Sequence, residues 1–142
     1  MVHRFAALLV ASVLLAGPGA AAEELAVIVH GKRADRPNAA EIGQIYLKQR
    51  RFWADGARIV PINRESGSPP RLVFDRRVLD ASPEKLSVYW NRQYFQGVLP
   101  PVTLASDEAV KRFVASERRA IGYVDPRVVD DSVRVVFQLN QP

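Results

Sequence analysis

The chain has 142 residues, with 20 Lys and Arg against 15 Asp and Glu, two His and no Cys. This length suits one domain, and 48% hydrophobic with 25% charged residues is a globular composition, neither disordered nor fibrous. The lack of Cys excludes disulfides, thiolate nucleophiles, Cys-ligated zinc and iron–sulfur clusters. The net charge of +5 points to an anionic partner, of which nucleic acid is one class.

The first 22 residues have the pattern of a cleavable signal peptide. A basic start, Met1–Arg4, precedes the apolar run Phe5–Ala16, which a Gly-Pro pair ends. The small residues 20–22 match those that signal peptidase reads, which predicts cleavage before Glu23. An uncleaved membrane anchor is the alternative, but a span needs roughly 17–25 apolar residues and this run is shorter.

Cleavage leaves residues 23–142 as one exported domain. The whole chain has a net charge of +5, and removal of the signal peptide takes away Arg4, so the net charge of this domain is +4. An exported protein of bacterial type does not meet the chromosome. We therefore predict a periplasmic location and no nucleic-acid partner.

The first half of this domain alternates between strand and helix patterns. Leu25–His30 is a continuous apolar run, which is typical of a strand covered on both faces. Asn38 and Glu41 have the spacing of a capping box and predict the start of a helix. Arg58–Asn63 reads as a second strand, and Pro61 in it favours an edge position or an early end.

Two helices are predicted next. Ser66-Gly67-Ser68-Pro69 opens a helix to about Leu79, with inward-facing Leu72, Val73, Val78 and Leu79. Ser82 followed by proline starts another helix through about Phe95. Its apolar face is predicted to belong to the core and consists of Leu86, Tyr89, Trp90 and Tyr94.

The C-terminal part predicts three strands and one more helix. Val102–Ala105 is a short strand, and Ser106 caps a helix whose predicted buried residues are Val110, Phe113 and Val114. Ala120–Val124 and Val133–Leu139 are the last two strands. This alternation predicts an α/β single domain with a mixed, mostly parallel sheet flanked by helices.

The positive charge is concentrated in residues 48–77, which hold eight Lys and Arg against three acidic residues. One interpretation is a solvated basic face. The other is a surface that faces an anion, because the charge surrounds a Ser-Gly-Ser turn that opens a helix. Free N–H groups at a helix start carry partial positive charge and attract phosphate-like ligands.

The run Ile62–Pro69 (INRESGSP) resembles the Ser-Gly-Thr anion loop of phosphate ABC transporter substrate-binding proteins. Glu41–Leu47 (EIGQIYL) and Trp53–Gly56 look like the helix and tryptophan turn ahead of that loop. Ala120–Val124 (AIGYV) resembles the strand motif near the family's hinge, and the resemblance covers roughly residues 24–125. It implies a type 2 periplasmic binding (PBP-like) fold, in a version with a single lobe.

The resemblance also implies a function, which is the binding of phosphate or a similar oxyanion for an ABC-type importer. If Ser68 caps the helix, the two prolines after it supply no N–H, and Gly67, Ser68 and Arg71 remain as backbone donors. Glu65 would favour phosphate over sulfate, because monohydrogen phosphate can donate a hydrogen bond to a carboxylate. The predicted ligand-binding residues are Arg64, Glu65, Ser66, Gly67, Ser68 and Arg71.

Other functions remain open at this point. A periplasmic interaction module or sensory partner could keep the fold without tight ligand binding, and a helix start with a structural role alone is the alternative for the loop. Closure around an ion would need a second lobe or a second protomer, which makes a homodimer possible. The domain has one histidine, His30, and no legible catalytic set or metal spacing, so we predict neither an enzyme nor a cofactor.

Overall fold

The computed structural model describes residues 24–140, and the predicted signal peptide lies outside the described residues. The strands are β1 (Leu25–His30), β2 (Val60–Arg64), β3 (Val102–Leu104), β4 (Ala120–Val124) and β5 (Val133–Leu139). The helices are α1 (Ala39–Tyr46), α2 (Pro69–Arg77), α3 (Pro83–Tyr94) and α4 (Asp107–Ser116), with a 3-10 turn at Pro126–Val128. The strands form one sheet in the order β3-β2-β4-β1-β5.

The sheet is mixed, and the predicted α/β class with flanking helices is confirmed. β2 pairs in parallel with β3 and β4, whereas β1 pairs antiparallel with β4 and β5. Because β2 and β3 run in parallel, their carboxyl ends meet at one edge of the sheet, where Arg64 is the register partner of Leu104. The loops that follow these two strands therefore lie side by side.

β1 is covered on both faces, as its continuous apolar run predicts. Val27 and Val29 belong to a cluster with residues of α1 and α2. Ala26 and Ile28 point to the other face, where they pack with residues of α4. Alternate side chains of one strand thus serve two separate layers of the core.

The sequence predicted the start of α1 correctly and the position of β2 incorrectly. The capping box is confirmed, because Asn38 Oδ1 accepts from Glu41 N–H and Glu41 accepts from Asn38 N–H, each at 2.9 Å. The edge position predicted from Pro61 is wrong, since β2 lies between β3 and β4. Pro61 is tolerated there because pairing with β3 begins only at Ile62, so the missing N–H interrupts no bond to that strand.

Three side chains predicted to face inward are exposed instead. The exposed fractions are 38% for Leu72, 63% for Tyr94 and 36% for Phe113. Leu86 is the buried residue of α3, and the ring of Tyr94 contacts Phe95, which is itself 81% exposed. Apolar spacing on a helix predicts which side chains share a face, but it does not say how far along that face a neighbour extends.

Candidate functional site at the end of β2

The loop after β2 lies above a buried network of aromatic and polar side chains. Phe74 of α2 stacks on Tyr123 of β4, with ring centroids 4.0 Å apart. The Tyr123 hydroxyl donates to Asn63 Oδ1, which also accepts from the Arg64 N–H at 3.0 Å. Burial raises the pKa of Tyr123, so its hydroxyl stays a neutral donor. The network joins the end of β2 to α2 and β4.

Arg64 points to the opposite face of β2 from Asn63, toward the start of α4. Its Nη1 donates to Asp107 in the first turn of α4, and its Nη2 donates to the Ala105 carbonyl at 3.2 Å. The side chain is 11% exposed, and its Nε has no hydrogen-bond partner among residues 24–140. Asp107 therefore compensates much of the charge that this guanidinium brings to the site.

The predicted anion loop is a tight turn that leads into α2. Gly67 has φ +79°, a left-handed conformation that glycine adopts without steric cost. The N–H and hydroxyl of Ser68 both donate to the Glu65 carbonyl, at 3.1 and 2.7 Å. Ser68 is the N-cap with prolines after it, and its side chain caps no N–H of the helix. Both hydrogen-bond donors of Ser68 therefore already have a partner inside the turn.

Three backbone donors remain at this turn. The N–H groups of Ser66, Gly67 and Arg71 have no hydrogen-bond partner within residues 24–140. The first two lie on an exposed loop, and the third lies in the first turn of α2, where the helix dipole favours an anion. This donor set differs from the predicted one in that Ser66 takes the place of Ser68.

Arg71 is held in place by two partners. Its Nε donates to both carboxylate oxygens of Asp75, at 3.1 and 3.0 Å, and its Nη1 donates to the Arg64 carbonyl at 2.8 Å. Burial raises the pKa of Asp75 against the opposing effect of Arg71. Nη2 of Arg71 has no partner among the described residues and remains available for a ligand.

A cleft of about 190 Å³ opens beside the loop, between α2 and α3. Ser66, Gly67 and Arg71 line one side of it, and Ser87 and Trp90 of α3 line the other. The residues that carry the free donors of the turn therefore line a space large enough for a small ion, and Asp75 lines it too.

Three of the six predicted residues line this cleft, namely Ser66, Gly67 and Arg71. Glu65 and Ser68 belong to the same turn without lining the cleft, and Arg64 points toward α4. Glu65 is exposed, and none of its side-chain oxygens has a partner within the described chain. Sequence reasoning missed Asp75 and Asp107, which neutralise the two arginines. The spacing of Arg71 and Asp75, four residues apart on one helix, was the signal for the first pair. The second pair joins residues 43 apart and had no local signal.

Two further observations describe what residues 24–140 contain. No group of three His, Asp or Glu side chains in this range is arranged to hold a metal ion. Nor does any helix in the same range have the length and apolarity to cross a membrane.

Comparison with solved structures gives the fold its family context. A phosphate ABC transporter substrate-binding protein from Clostridium perfringens, solved with bound phosphate, matches at 26% identity and TM-score 0.63. The chain shares its fold with phosphate ABC transporter substrate-binding proteins. An ABC-type phosphate transport receptor from Vibrio cholerae (21% identity, TM-score 0.65) and PstS from Borrelia burgdorferi (14%, 0.61) have the same fold.

The matches to these phosphate-binding proteins cover most of this chain but only part of theirs. They span 79%, 79% and 81% of this chain, against 43%, 44% and 49% of the Clostridium, Vibrio and Borrelia proteins. The chain thus spans less than half the length of each. No protein-family model matches the sequence, and no protein of curated function matches it.

Proposed function

We propose that this chain is a periplasmic, PBP-like domain that binds phosphate or a similar oxyanion and delivers it to the membrane subunits of an ABC-type importer. The observation that carries the proposal is the turn after β2. There, one cleft is lined by the three residues that carry unpartnered N–H groups, one of which, Arg71, also has a free guanidinium nitrogen. The fold is shared with a protein solved with phosphate bound. We propose binding without a catalytic step.

The ligand would lie against Ser66, Gly67 and Arg71. The two loop N–H groups and the Arg71 N–H donate to its oxygens, and the Ser66 hydroxyl and Arg71 Nη2 add side-chain donors. Arg64 and Ser68 act indirectly in this arrangement. The backbone carbonyl of Arg64 accepts a hydrogen bond from the Arg71 guanidinium. The Ser68 hydroxyl donates to the Glu65 carbonyl and so stabilises the turn.

Glu65 gives the site its preference between tetrahedral anions. Glu65 directly precedes Ser66 and is exposed, and a carboxylate can accept the hydrogen bond that monohydrogen phosphate donates. Sulfate lacks that proton and would meet only repulsion from the carboxylate. A Glu65→Gln variant should therefore bind phosphate more weakly and sulfate more tightly than the unchanged protein.

Titration calorimetry of the purified protein with phosphate and with sulfate tests this function. Arg71→Gln should weaken phosphate binding about tenfold, because one charge-assisted contact is lost. Arg92→Gln, which removes an exposed charge from α3, is the matched control and should bind as the unchanged protein does. Heat of binding that is absent at millimolar phosphate, with all variants folded, would overturn the proposal.

The mass of the protein in the same buffer tests how the ligand is enclosed. The part of this chain that matches the related phosphate-binding proteins covers less than half of each of them, so a second protomer could supply the other wall of the site. A mass that doubles when phosphate is added supports a homodimer. A monomer that binds phosphate would show that one copy is sufficient. No observation on residues 24–140 favours a sensory or interaction role, which stays a prediction.

A further inference from the structure

A second basic cleft lies at the opposite edge of the sheet from the anion loop. Its walls come from the turn after α1, the residues ahead of β2 and the loop ahead of β3. β2 runs from Val60 to Arg64, and five strand residues span about 16 Å. The cleft at the start of β2 is therefore separate from the loop at its end.

The cleft has an unusual charge balance. Its volume is about 230 Å³, and four of its ten lining residues are basic while none is acidic. Arg50 is paired with Glu41 at 2.9 Å. Lys48, Arg51 and Arg58 have no carboxylate within ion-pair distance among residues 24–140. Three uncompensated cations thus share one cleft.

Two of the three cations, Arg51 and Arg58, are held in position by contacts that leave their charge free. Arg51 Nε donates to the Lys48 carbonyl at 2.9 Å, and the Arg58 guanidinium lies 5.3 Å from the ring centre of Phe52. Arg58 and Phe52 form a β-bridge, which places Arg51 and Arg58 on adjoining segments. Side chains ordered in this way lose less entropy when a ligand binds.

Lys48 gives independent support. It has φ +60°, the left-handed conformation that glycine usually takes after a helix, and it follows the C-cap of α1. A lysine in this position is strained, and its side chain lines the cleft. Burial lowers the pKa of Lys48, and the charges of Arg51 and Arg58 lower it further. A glycine would fit the backbone better but would remove the charge.

We propose that Lys48, Arg51 and Arg58 form a second anion site, which takes a ligand carrying several negatively charged phosphate groups. Three cations in one cleft match a ligand with more than one negative charge, whereas the loop after β2 offers mainly backbone N–H groups to a single ion. Ile59 and Leu99 line the same cleft and add apolar contacts beside the cations. The ligand could be a free oligophosphate or the phosphate headgroups of a membrane surface.

Backbone amide NMR during titration with inorganic tripolyphosphate locates the site. Amide signals of residues 48–51, 58 and 97–99 should shift and saturate. Arg51→Gln/Arg58→Gln should weaken this binding about tenfold, because two partly screened charges are lost. Arg112→Gln paired with Arg92→Gln removes two exposed charges from other helices and is the control. Equal weakening in both double variants, or no shift at these residues, would overturn the proposal.

Lys48→Gly separates a binding role from a structural one. It removes a charge but relieves the left-handed backbone, so tripolyphosphate binding should weaken while the melting temperature stays the same or rises. A melting temperature that falls, with tripolyphosphate binding unchanged, would contradict the assignment.

Flotation with vesicles of phosphatidylcholine, with and without phosphatidylglycerol, distinguishes the two sources of the ligand. Binding that needs phosphatidylglycerol and is lost in Arg51→Gln/Arg58→Gln assigns the site to a membrane surface. Tripolyphosphate binding without vesicle binding assigns it to a free oligophosphate. Binding to neither probe rejects the site and leaves the proposal for the Ser66–Gly67 loop untouched, because that proposal is tested with phosphate itself.

Discussion

Tyr123 is the residue on which the end of β2 depends most directly. Its ring stacks on Phe74, and its hydroxyl donates to Asn63 while lying 3.3 Å from the Arg64 N–H. Asn63 is 4% exposed, so water cannot easily replace a lost donor. The residue thus has an apolar role and a polar role that a single substitution can separate.

Tyr123→Phe keeps the stacked ring and removes the hydroxyl. We expect the free energy of unfolding to fall by about 1–2 kcal/mol, because a buried acceptor loses one donor. Chemical denaturation measures this change. Tyr94→Phe, which removes an exposed hydroxyl, should change it by less than about 0.5 kcal/mol. Equal effects of the two substitutions would show that the Asn63 contact contributes nothing.

Two pairs of residues show what sequence reasoning could and could not reach. The Asn38–Glu41 box is local, since three residues separate the partners and their chemistry determines the geometry. The Arg64–Asp107 pair depends on β2 and β3 being parallel neighbours, which no short stretch of sequence specifies. The sequence therefore predicted the turn that leads into α2. It did not predict the carboxylates that pair with Arg64 and Arg71.

At the level of elements, α4 packs closely on β4 at Gly122. A Cβ atom at this position would lie 2.5 Å from Val110 Cγ1 and 3.3 Å from Val114 Cγ2. Both valines are fully buried, and β-branched side chains in a helix have little rotamer freedom. A side chain at residue 122 would therefore push α4 away from the sheet.

Gly122→Ala should lower the free energy of unfolding by about 1–3 kcal/mol, through overpacking. Gly31→Ala is the control, because its Cβ would meet the nearest atom at 3.4 Å. Combining Gly122→Ala with Val110→Ala should cost less than the sum of the two single changes, since the second removes the clash of the first. Additive losses in denaturation experiments would contradict this account of the α4–β4 contact.

The turn between α4 and β4 makes the stability of the folded state depend on pH. Hydrogen bonds from the side chain and the N–H of Arg119 lower the pKa of Glu117 from 4.5 to about 2. A carboxyl with a lowered pKa stabilises the folded state above its unfolded pKa, and this contribution is lost as the pH falls from 4.5 toward 2.

Glu117→Gln should therefore lower the melting temperature at neutral pH and leave it close to that of the unchanged protein near pH 2. Arg119→Gln removes the donors and should reduce the same pH dependence. Melting curves that stay parallel for the variants and the unchanged protein across this range would show that the Glu117 contact forms equally in the unfolded chain.

At the scale of the whole molecule, the two basic regions lie at opposite ends of β2. The sequence placed the positive excess in residues 48–77 as one block, and it could not show that the fold divides this block between the two ends of β2. Arg64 and Arg71 at one end are paired with acids, whereas Lys48, Arg51 and Arg58 at the other end are not. Basic residues that are close together in the sequence thus lie on two different surfaces of the fold.

The exposure of the turn after β2 also bears on affinity. Ser66 and Gly67, which carry two of the free N–H groups, are exposed. A ligand held by one face of the loop keeps more contact with water than an enclosed one and gains less from each hydrogen bond. We therefore expect phosphate binding to weaken as ionic strength rises, which calorimetry in increasing sodium chloride would measure. Affinity independent of salt would indicate an enclosed site.

Backbone amide NMR of the purified protein with added phosphate is the most direct test of the central claim. The signals of Ser66, Gly67 and Arg71 should shift together and saturate, because their N–H groups are the free donors of the turn. The signals of Ser66 and Gly67 should move less in Arg71→Gln at equal phosphate. Phosphate that leaves these three amides unchanged, or that moves only residues 48–51, would contradict an oxyanion site at the end of β2.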